Sequence, residues 1–134
     1  MSDAAAPSEF LVLSRGRWDE DAPPERIQKG IDAFYAWLEQ EIAAGRMRTG
    51  QRLGTAGRTV GRGFISDGPF GESKEIIGGY WFILARDLDE AQAIIARNPC
   101  IQLGLFFELR PIEAARASAF ALTNETPPHR LASA

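Results

Sequence analysis

The segment YWFILA, residues 80–85, constrains the fold more than any other part of the chain. Side chains alternate between the two faces of a β-strand, yet this segment is apolar at both parities. The segment LGLFFELR, residues 103–110, shows the same feature at Leu105, Phe106 and Phe107. An antiparallel sheet with one face in water has alternating polar and apolar residues, so this sheet requires cover on both faces. Leaving several of these side chains in water would cost about 2 kcal/mol each.

Helices can cover one face of such a sheet, and the second face needs a separate cover. We expect a second copy of the same sheet there, which predicts a homodimer of the 14.7 kDa chain. The alternative is that the C-terminal tail folds back over the open face. Residues 113–134 are rich in Ala, Ser, Thr and Pro and carry few bulky apolar side chains. We therefore expect a partly ordered tail and favour the homodimer.

Two helices are predicted from their spacing and their ends. The first begins at Pro24, which suits a first helical position, and ends at Gly45. The second begins where Asp87 and Glu90 form a capping box, and Asn98 before Pro99 ends it. The apolar stripe of the first helix consists of Ile27, Ile31, Phe34, Leu38 and Ile42.

Strands are predicted between these helices and on either side of them. The candidates are residues 10–13, 51–54, 59–65, 80–85 and 103–110, with a tight turn near Ala56 and Gly57 between the second and the third. This order predicts an α+β fold with a ferredoxin-like βαββαβ antiparallel sheet and both helices on one face. We expect residues 1–112 to form this domain and residues 113–134 to be the tail.

Composition narrows the classes of function. The longest apolar run is far shorter than the roughly 20 residues of a membrane span. The first residues, MSDAAAPSEF, do not resemble a signal peptide, so we expect a cytoplasmic, unprocessed protein with no membrane partner. With 15 basic and 18 acidic residues, a nucleic-acid partner is unlikely. The five arginines between residues 46 and 62 form either a local anion-attracting strip or a solvated surface.

The single cysteine, Cys100, excludes an internal disulfide and a cysteine-based metal cage. We interpret it as a small apolar residue beside a strand. No metal-ligand spacing is present in the sequence, and the serines at 66 and 73 have no histidine base beside them. The sequence therefore predicts neither a metal site nor nucleophilic catalysis.

Asp67 is the first candidate for chemistry. It ends a predicted strand before the Gly68-Pro69 turn, close in sequence to Phe70, so its carboxylate is expected at the mouth of an apolar cavity and suited to proton transfer. The alternative is that Asp67 accepts backbone N–H bonds in the turn. Lys74 follows, either anchoring an anionic substrate or exposed as a surface ion with Glu72.

Substrate contacts are expected from the aromatic residues near this turn. Trp18, Tyr80 and Trp81 offer flat walls for an aromatic substrate, although aromatic residues on strands often serve packing alone. Glu108 is expected to face the dimer interior, where it is either a functional acid or neutralised by Arg15, by Arg110 or by a cation of the partner. The predicted substrate-binding residues are Trp18, Phe70, Glu72, Tyr80, Trp81 and Glu108.

The run DGPF at residues 67–70, followed by ESKE, GGY, DLDEA and ELRPI, resembles the YCII-related family in its DGPF-domain branch. The resemblance covers residues 10–112. It implies a dimeric α+β barrel built from two ferredoxin-like sheets that face each other. It also implies one of two roles, an acid–base enzyme or a partner of an extracytoplasmic-function sigma factor.

The histidine–aspartate dyad of some YCII relatives does not carry over, because the one histidine, His129, lies in the tail. Haem binding does not carry over either, since no core axial ligand matches, and we expect no cofactor. If the protein is an enzyme, we expect cofactor-free acid–base chemistry of an isomerase or lyase type on an apolar or aromatic acid. Asp67 would be its acid–base group and Lys74 its electrostatic support. The alternative is a non-enzymatic regulator.

Overall fold

The computed structural model describes residues 7–67 and 76–131, and for Ser66, Asp67 and Leu131 the backbone alone. The elements in chain order are β1 (Ser8–Arg15), α1 (Pro24–Ala43), β2 (Met47–Arg52), β3 (Arg58–Gly61), β4 (Phe64–Asp67), β5 (Ile77–Ala85), α2 (Leu88–Ile95), a 3-10 helix (Pro99–Leu103), β6 (Phe106–Pro111) and α3 (Pro128–Leu131).

The main sheet has four strands in the order β2-β5-β1-β6, and every neighbouring pair is antiparallel. This is the strand order of a ferredoxin-like βαββαβ fold in which β5 is the third strand, so the predicted fold class is confirmed. Strands β3 and β4 form a separate two-stranded hairpin.

One core cluster joins the sheet to both helices. It contains Val12 and Ile83 from the sheet, which are fully buried, together with side chains of α1 and α2. Because residues of one strand parity pack against both helices, the two helices cover the same face of the sheet. The buried residues of the cluster are Phe10, Val12, Phe34, Leu38, Met47, Trp81, Ile83, Ala85, Ala91, Ile94, Ile95 and Cys100.

The opposite parity forms a second face, which we call the open face. It carries the half-buried side chains of Leu11, Leu13, Tyr80, Phe82 and Leu84. In the described part of the tail, Phe120 is fully exposed, so its side chain does not pack over the open face. The open face thus has the apolar character that the sequence predicted.

The segment between α1 and β5 differs from the prediction. The predicted turn near Ala56 and Gly57 is wrong, because the hairpin turns instead between β3 and β4, where Gly63 has a φ of 76°. Strand β2 begins earlier than predicted, at Met47, and its register shifts after Arg48. The sequence pattern is weak here because every residue from 51 to 65 is exposed, so no hydrophobic alternation marks the strands.

The last strand begins at Phe106 rather than at Leu103. The Asn98 side chain accepts a hydrogen bond of 2.9 Å from the Cys100 backbone N–H and starts a 3-10 helix. Gly104, with a φ of 108°, then reverses the chain in a conformation that favours glycine. Leu103 therefore packs into the core from a helical turn, which apolar periodicity alone cannot separate from a strand.

The start of α2 is as predicted. The Asp87 carboxylate accepts a hydrogen bond of 2.9 Å from the Glu90 backbone N–H. The Glu90 carboxylate accepts from the backbone N–H of Arg86 at 2.8 Å, one residue earlier than in the usual capping box. Within the two described ranges of the chain, no helix has the length and apolar character needed to cross a bilayer.

Candidate functional site

A cavity of about 430 Å³ lies between the sheet and the middle of α1. Its size falls in the range of small-molecule sites. The cavity is framed by the end of β1 and the loop after it, by the end of β2 and by the start of β5. The lining residues are Ser14, Gly16, Arg17, Trp18, Ile31, Phe34, Tyr35, Arg52, Ile76, Gly78, Trp81, Cys100, Leu105 and Phe107.

The cavity lies beside the start of β5, where Gly78 and Gly79 give the sheet little side-chain volume. Gly79 is paired with Ser14 of β1 on one side and with Arg52 of β2 on the other. A Cβ atom at Gly79 would lie 2.9 Å from the Gln51 carbonyl oxygen and 3.1 Å from the Trp81 ring, so this position requires glycine. The Trp81 ring covers Gly79, and its two cross-strand partners Ser14 and Arg52 line the cavity beneath α1.

Aromatic rings form the walls of this cavity. The rings of Phe34 and Trp81 meet edge to face with centroids 5.1 Å apart, and Phe34 meets Tyr35 in the same manner at 5.0 Å. Phe34 and Trp81 are buried, whereas Tyr35 is 42% exposed and lies toward the opening. The edge-to-face contacts fix the rings relative to one another, and together they present apolar walls that suit a flat ligand.

The polar groups of the cavity are few. Arg17 and Arg52 are exposed, and neither forms an ion pair with another residue of the described ranges. Ser14 is buried within the sheet, at 6% exposure. No acidic residue is among the described residues that line the cavity. The site thus combines an apolar interior with positive charge at its opening, which favours an anionic ligand.

Cys100 lies at the base of the cavity and is not suited to nucleophilic attack. Burial raises the pKa of the Cys100 thiol to about 11, so it stays protonated at neutral pH. Its Sγ lies 3.9 Å from the Gly30 carbonyl oxygen. These observations confirm the interpretation of Cys100 as a small buried residue. Among the described residues, no cluster of three His, Cys, Asp or Glu side chains is placed to hold a metal ion.

The sequence-predicted site residues do not all come together. Trp18 and Trp81 line the cavity, but Tyr80 and Glu108 lie on the open face, where both are paired with Leu13. Period-two alternation separates Tyr80 from Trp81, so neighbours in sequence serve opposite faces.

The other predicted residues fall at or beyond the end of β4. The Asp67 backbone closes β4 opposite Arg58, and its side chain lies outside the described part of the molecule. Phe70, Glu72 and Lys74 lie outside the described residues altogether. Their roles remain predictions.

Glu108 is held in an ion-pair network on the open face. It pairs with Arg15 of β1, and its second carboxylate oxygen accepts a hydrogen bond of 3.2 Å from Arg110. Arg15 in turn lies over the Phe106 ring, 5.5 Å from its centroid. Arg15 and Arg110, the two cations of the same chain that the sequence offered as partners, therefore both pair with Glu108.

Sequence reasoning missed most of the cavity, including Ser14, Arg17, Phe34 and Tyr35. The available signal was the consecutive pair Gly78-Gly79 at the start of a confident strand, since glycine within a strand often marks the close approach of a ligand or another backbone. Which residues lie beside that pair depends on strand register, and the sequence does not display the register.

The arginines between residues 46 and 62 do not act as one strip. Arg46 pairs with the buried Glu41 at 2.7 Å. Arg48 pairs with Glu9 and lies 4.4 Å from the centroid of the Phe82 ring on the open face. Arg52 lines the cavity, and the other two belong to the β3–β4 hairpin and its turn.

Comparison with family models matches the YCII-related domain over residues 9–115. The chain belongs to this family. Among solved structures, the YCII-related chain is similar to 5-chloro-2-hydroxyhydroquinone dehydrochlorinase from Burkholderia phenoliruptrix AC1100, in complex with 2,5-dihydroxybenzoquinone. The two are 22% identical with a TM-score of 0.40, and the similarity covers 75% of this chain and 90% of that chain. A comparison with curated proteins gives no significant match.

Proposed function

We propose that this YCII-related protein binds a small apolar or aromatic acid in the cavity beneath α1. The observation that carries the proposal is the combination of buried aromatic walls with two arginines at the opening. The walls would take the ring of the ligand, and Arg17 or Arg52 would take its carboxylate. A guanidinium group suits this role because its planar fork matches the geometry of a carboxylate.

We further propose cofactor-free acid–base chemistry on the bound acid, of an isomerase or lyase type. Asp67 is the proposed acid–base group and Lys74 the proposed support for a developing enolate. Supporting this assignment, Lys74 precedes the cavity-lining Ile76 by only two positions in the chain. Arg52 would add positive charge at the opening of the cavity.

We also propose a homodimer formed through the open face. Its centre is apolar, and ion pairs of Arg48 with Glu9 and of Arg15 with Glu108 lie around that centre. An apolar core within a charged rim is the usual anatomy of a protein interface. Two such faces together would exclude water from both sheets.

Ligand binding is tested by calorimetric titration of benzoate and phenylacetate into the wild type and Arg52→Ala. We expect binding by the wild type and a loss of about tenfold or more in the variant, since a charge-assisted contact is removed. Arg26→Ala, an exposed arginine of α1 outside the cavity, is the matched control and should bind as the wild type does. Equal affinities in all three proteins would refute the assignment.

The enzymatic role is tested separately, by following deuterium exchange at the carbon beside the keto group of phenylpyruvate. We expect the wild type to exceed the buffer rate and Asp67→Asn to return to it, because the proton acceptor is lost. Asp89→Asn changes an exposed acid in the first turn of α2 and should leave the rate unchanged. If the wild type did not raise exchange above the buffer rate, the acid–base role would be refuted, and the protein would be a binding protein rather than an enzyme of this type.

The second candidate is a non-enzymatic partner of an extracytoplasmic-function sigma factor. The observation that favours it is the β3–β4 hairpin, which exposes Val60 and Ile65 at 71% and 69%. Co-purification with a purified sigma factor of this class, lost in Ile65→Asp but retained in Arg52→Ala, would support this candidate. Retention of a complex in Ile65→Asp would contradict the hairpin contact.

A further inference from the structure

Ser14 is a buried polar residue in an otherwise apolar part of the sheet. It lies on the helix-covered face of β1, the same face as Phe10 and Val12, and is 6% exposed. Its hydroxyl makes no hydrogen bond to any residue within 7–67 or 76–131. The hydroxyl oxygen is not sealed from the cavity, so water or a ligand atom can reach it, and no residue of the described ranges serves as its partner.

The surroundings of Ser14 open toward the cavity. Its cross-strand neighbour Gly79 carries no side chain, and a Cβ atom at Gly78 would lie 3.8 Å from the Ser14 hydroxyl oxygen. On the other side, Ser14 is paired with Phe107, which also lines the cavity. The hydroxyl is therefore accessible from the cavity between a bare stretch of sheet and an aromatic ring.

Ser14 and Arg52 lie at two ends of one row across the sheet. Each is paired with Gly79 and projects toward the helix side, so two strand spacings, roughly 10 Å, separate their Cα atoms. A ligand whose carboxylate meets Arg52 would lie against the Trp81 ring, which covers Gly79, and bring its far end over Ser14. The arginine side chain takes up part of this span, which leaves room for one aromatic ring.

We propose that Ser14 is the specificity-determining residue of the cavity and binds a second oxygen at the far end of the ligand. The ligand class is then an aromatic carboxylic acid that carries a ring hydroxyl or keto group. The inference rests on the proposed function of the cavity and adds to it the polar group opposite the acid. A serine hydroxyl both donates and accepts, so it serves either oxygen.

The test compares benzoate with 3-hydroxybenzoate and 4-hydroxybenzoate by calorimetric titration. The wild type should bind at least one hydroxylated acid about fivefold to tenfold more tightly than benzoate, the effect of one hydrogen bond. Ser14→Ala should bind all three equally, and Ser14→Thr, which retains the hydroxyl, should recover part of the preference. Ser8→Ala is the matched control, an exposed serine of the same strand, and should keep the full preference.

Thermal unfolding tests whether Ser14→Ala still folds as the wild type does. Ser14→Ala should melt close to the wild-type temperature without ligand, because the hydroxyl it removes makes no hydrogen bond within the described part of the fold. Wild-type binding of the three acids with equal affinity, but with the Arg52→Ala loss intact, would overturn the role of Ser14 and leave the cavity assignment standing. Failure of all three acids to bind the wild type would overturn both.

Discussion

The two faces of the central sheet are built from the same strands and are both apolar, yet they differ in what surrounds them. On the helix-covered face, Val12 and Ile83 are fully buried, and the polar side chains of Ser14 and Arg52 lie at the cavity. On the open face, half-buried Leu13 and Phe82 lie among ion pairs. An apolar face alone therefore does not distinguish a protein interior from an association surface. The ion pairs around the open face are the feature on which we base its proposed role in association.

The faces also differ in how they are filled. Beneath α1 the helix-covered face leaves a cavity lined by aromatic rings in mutual contact, and its volume suits a small ligand. The open face has rings in contact, with Tyr80 and Phe82 at 5.9 Å, and Arg48 lying on Phe82. This difference underlies our proposal of a small-molecule ligand for the first face and a second subunit for the other.

The largest effect is expected from placing a charge at the centre of the open face. Phe82→Glu should abolish the proposed dimer, because it replaces a large apolar ring on the open face by a charge that association would have to remove from water. Light scattering should then give 14.7 kDa, whereas the wild type should give twice that mass. Ala93→Glu, on the exposed side of α2, controls for added charge and should remain dimeric. A wild type of 14.7 kDa at micromolar concentration would contradict the assignment of this face.

Neighbouring residues of β5 allow the two faces to be compared directly. Ile83→Ala should lower the free energy of unfolding by about 3–4 kcal/mol at every protein concentration, because it opens a cavity in the chain's own core. Leu84→Ala on the open face should cost less, and its cost should rise with protein concentration because it acts through association. The measurement is urea unfolding at two concentrations. Equal, concentration-independent costs would indicate that the faces do not differ.

A smaller effect is expected at a charge buried within the subunit. The hydrogen bond from Arg46, with the charges of Arg46 and Arg97, holds the pKa of Glu41 below its usual value of 4.5, although burial raises it. Since the folded pKa is lower than the unfolded one, this carboxylate stabilises the protein fully above pH 4.5. The stabilisation is lost as the pH falls through the folded pKa.

Glu41→Gln should therefore cost about 1–2 kcal/mol at pH 7, discounted for the exposure of both arginines, and less at pH 3. Unfolding in urea at both pH values measures the difference from the wild type. Glu39→Gln on the exposed side of α1 is the control, and its cost should be small at both pH values. A Glu41→Gln cost that does not change with pH would contradict the ionic role of Glu41.

Several elements were predictable because their signals are local. The Asp87 cap and the alternation of β5 depend on spacing within a few residues, and the structure confirms both. The α1 stripe is confirmed at Phe34 and Leu38 but is wrong at Ile42, which is exposed while Glu41 is buried. The β3–β4 turn and the start of β6 were predicted wrongly. There the deciding interactions are backbone conformations at Gly63 and Gly104, which leave no distinctive pattern of side chains.

The amino-acid order is sufficient to establish a two-sided apolar sheet, its helices and its family, because alternation, capping and motif spacing are short-range properties of a chain. It could not tell which parity the helices would cover or that Ser14, Gly79 and Arg52 would form one row. Those relations bring together residues more than 25 positions apart, and strand register and helix packing are set by the combined burial of the whole core.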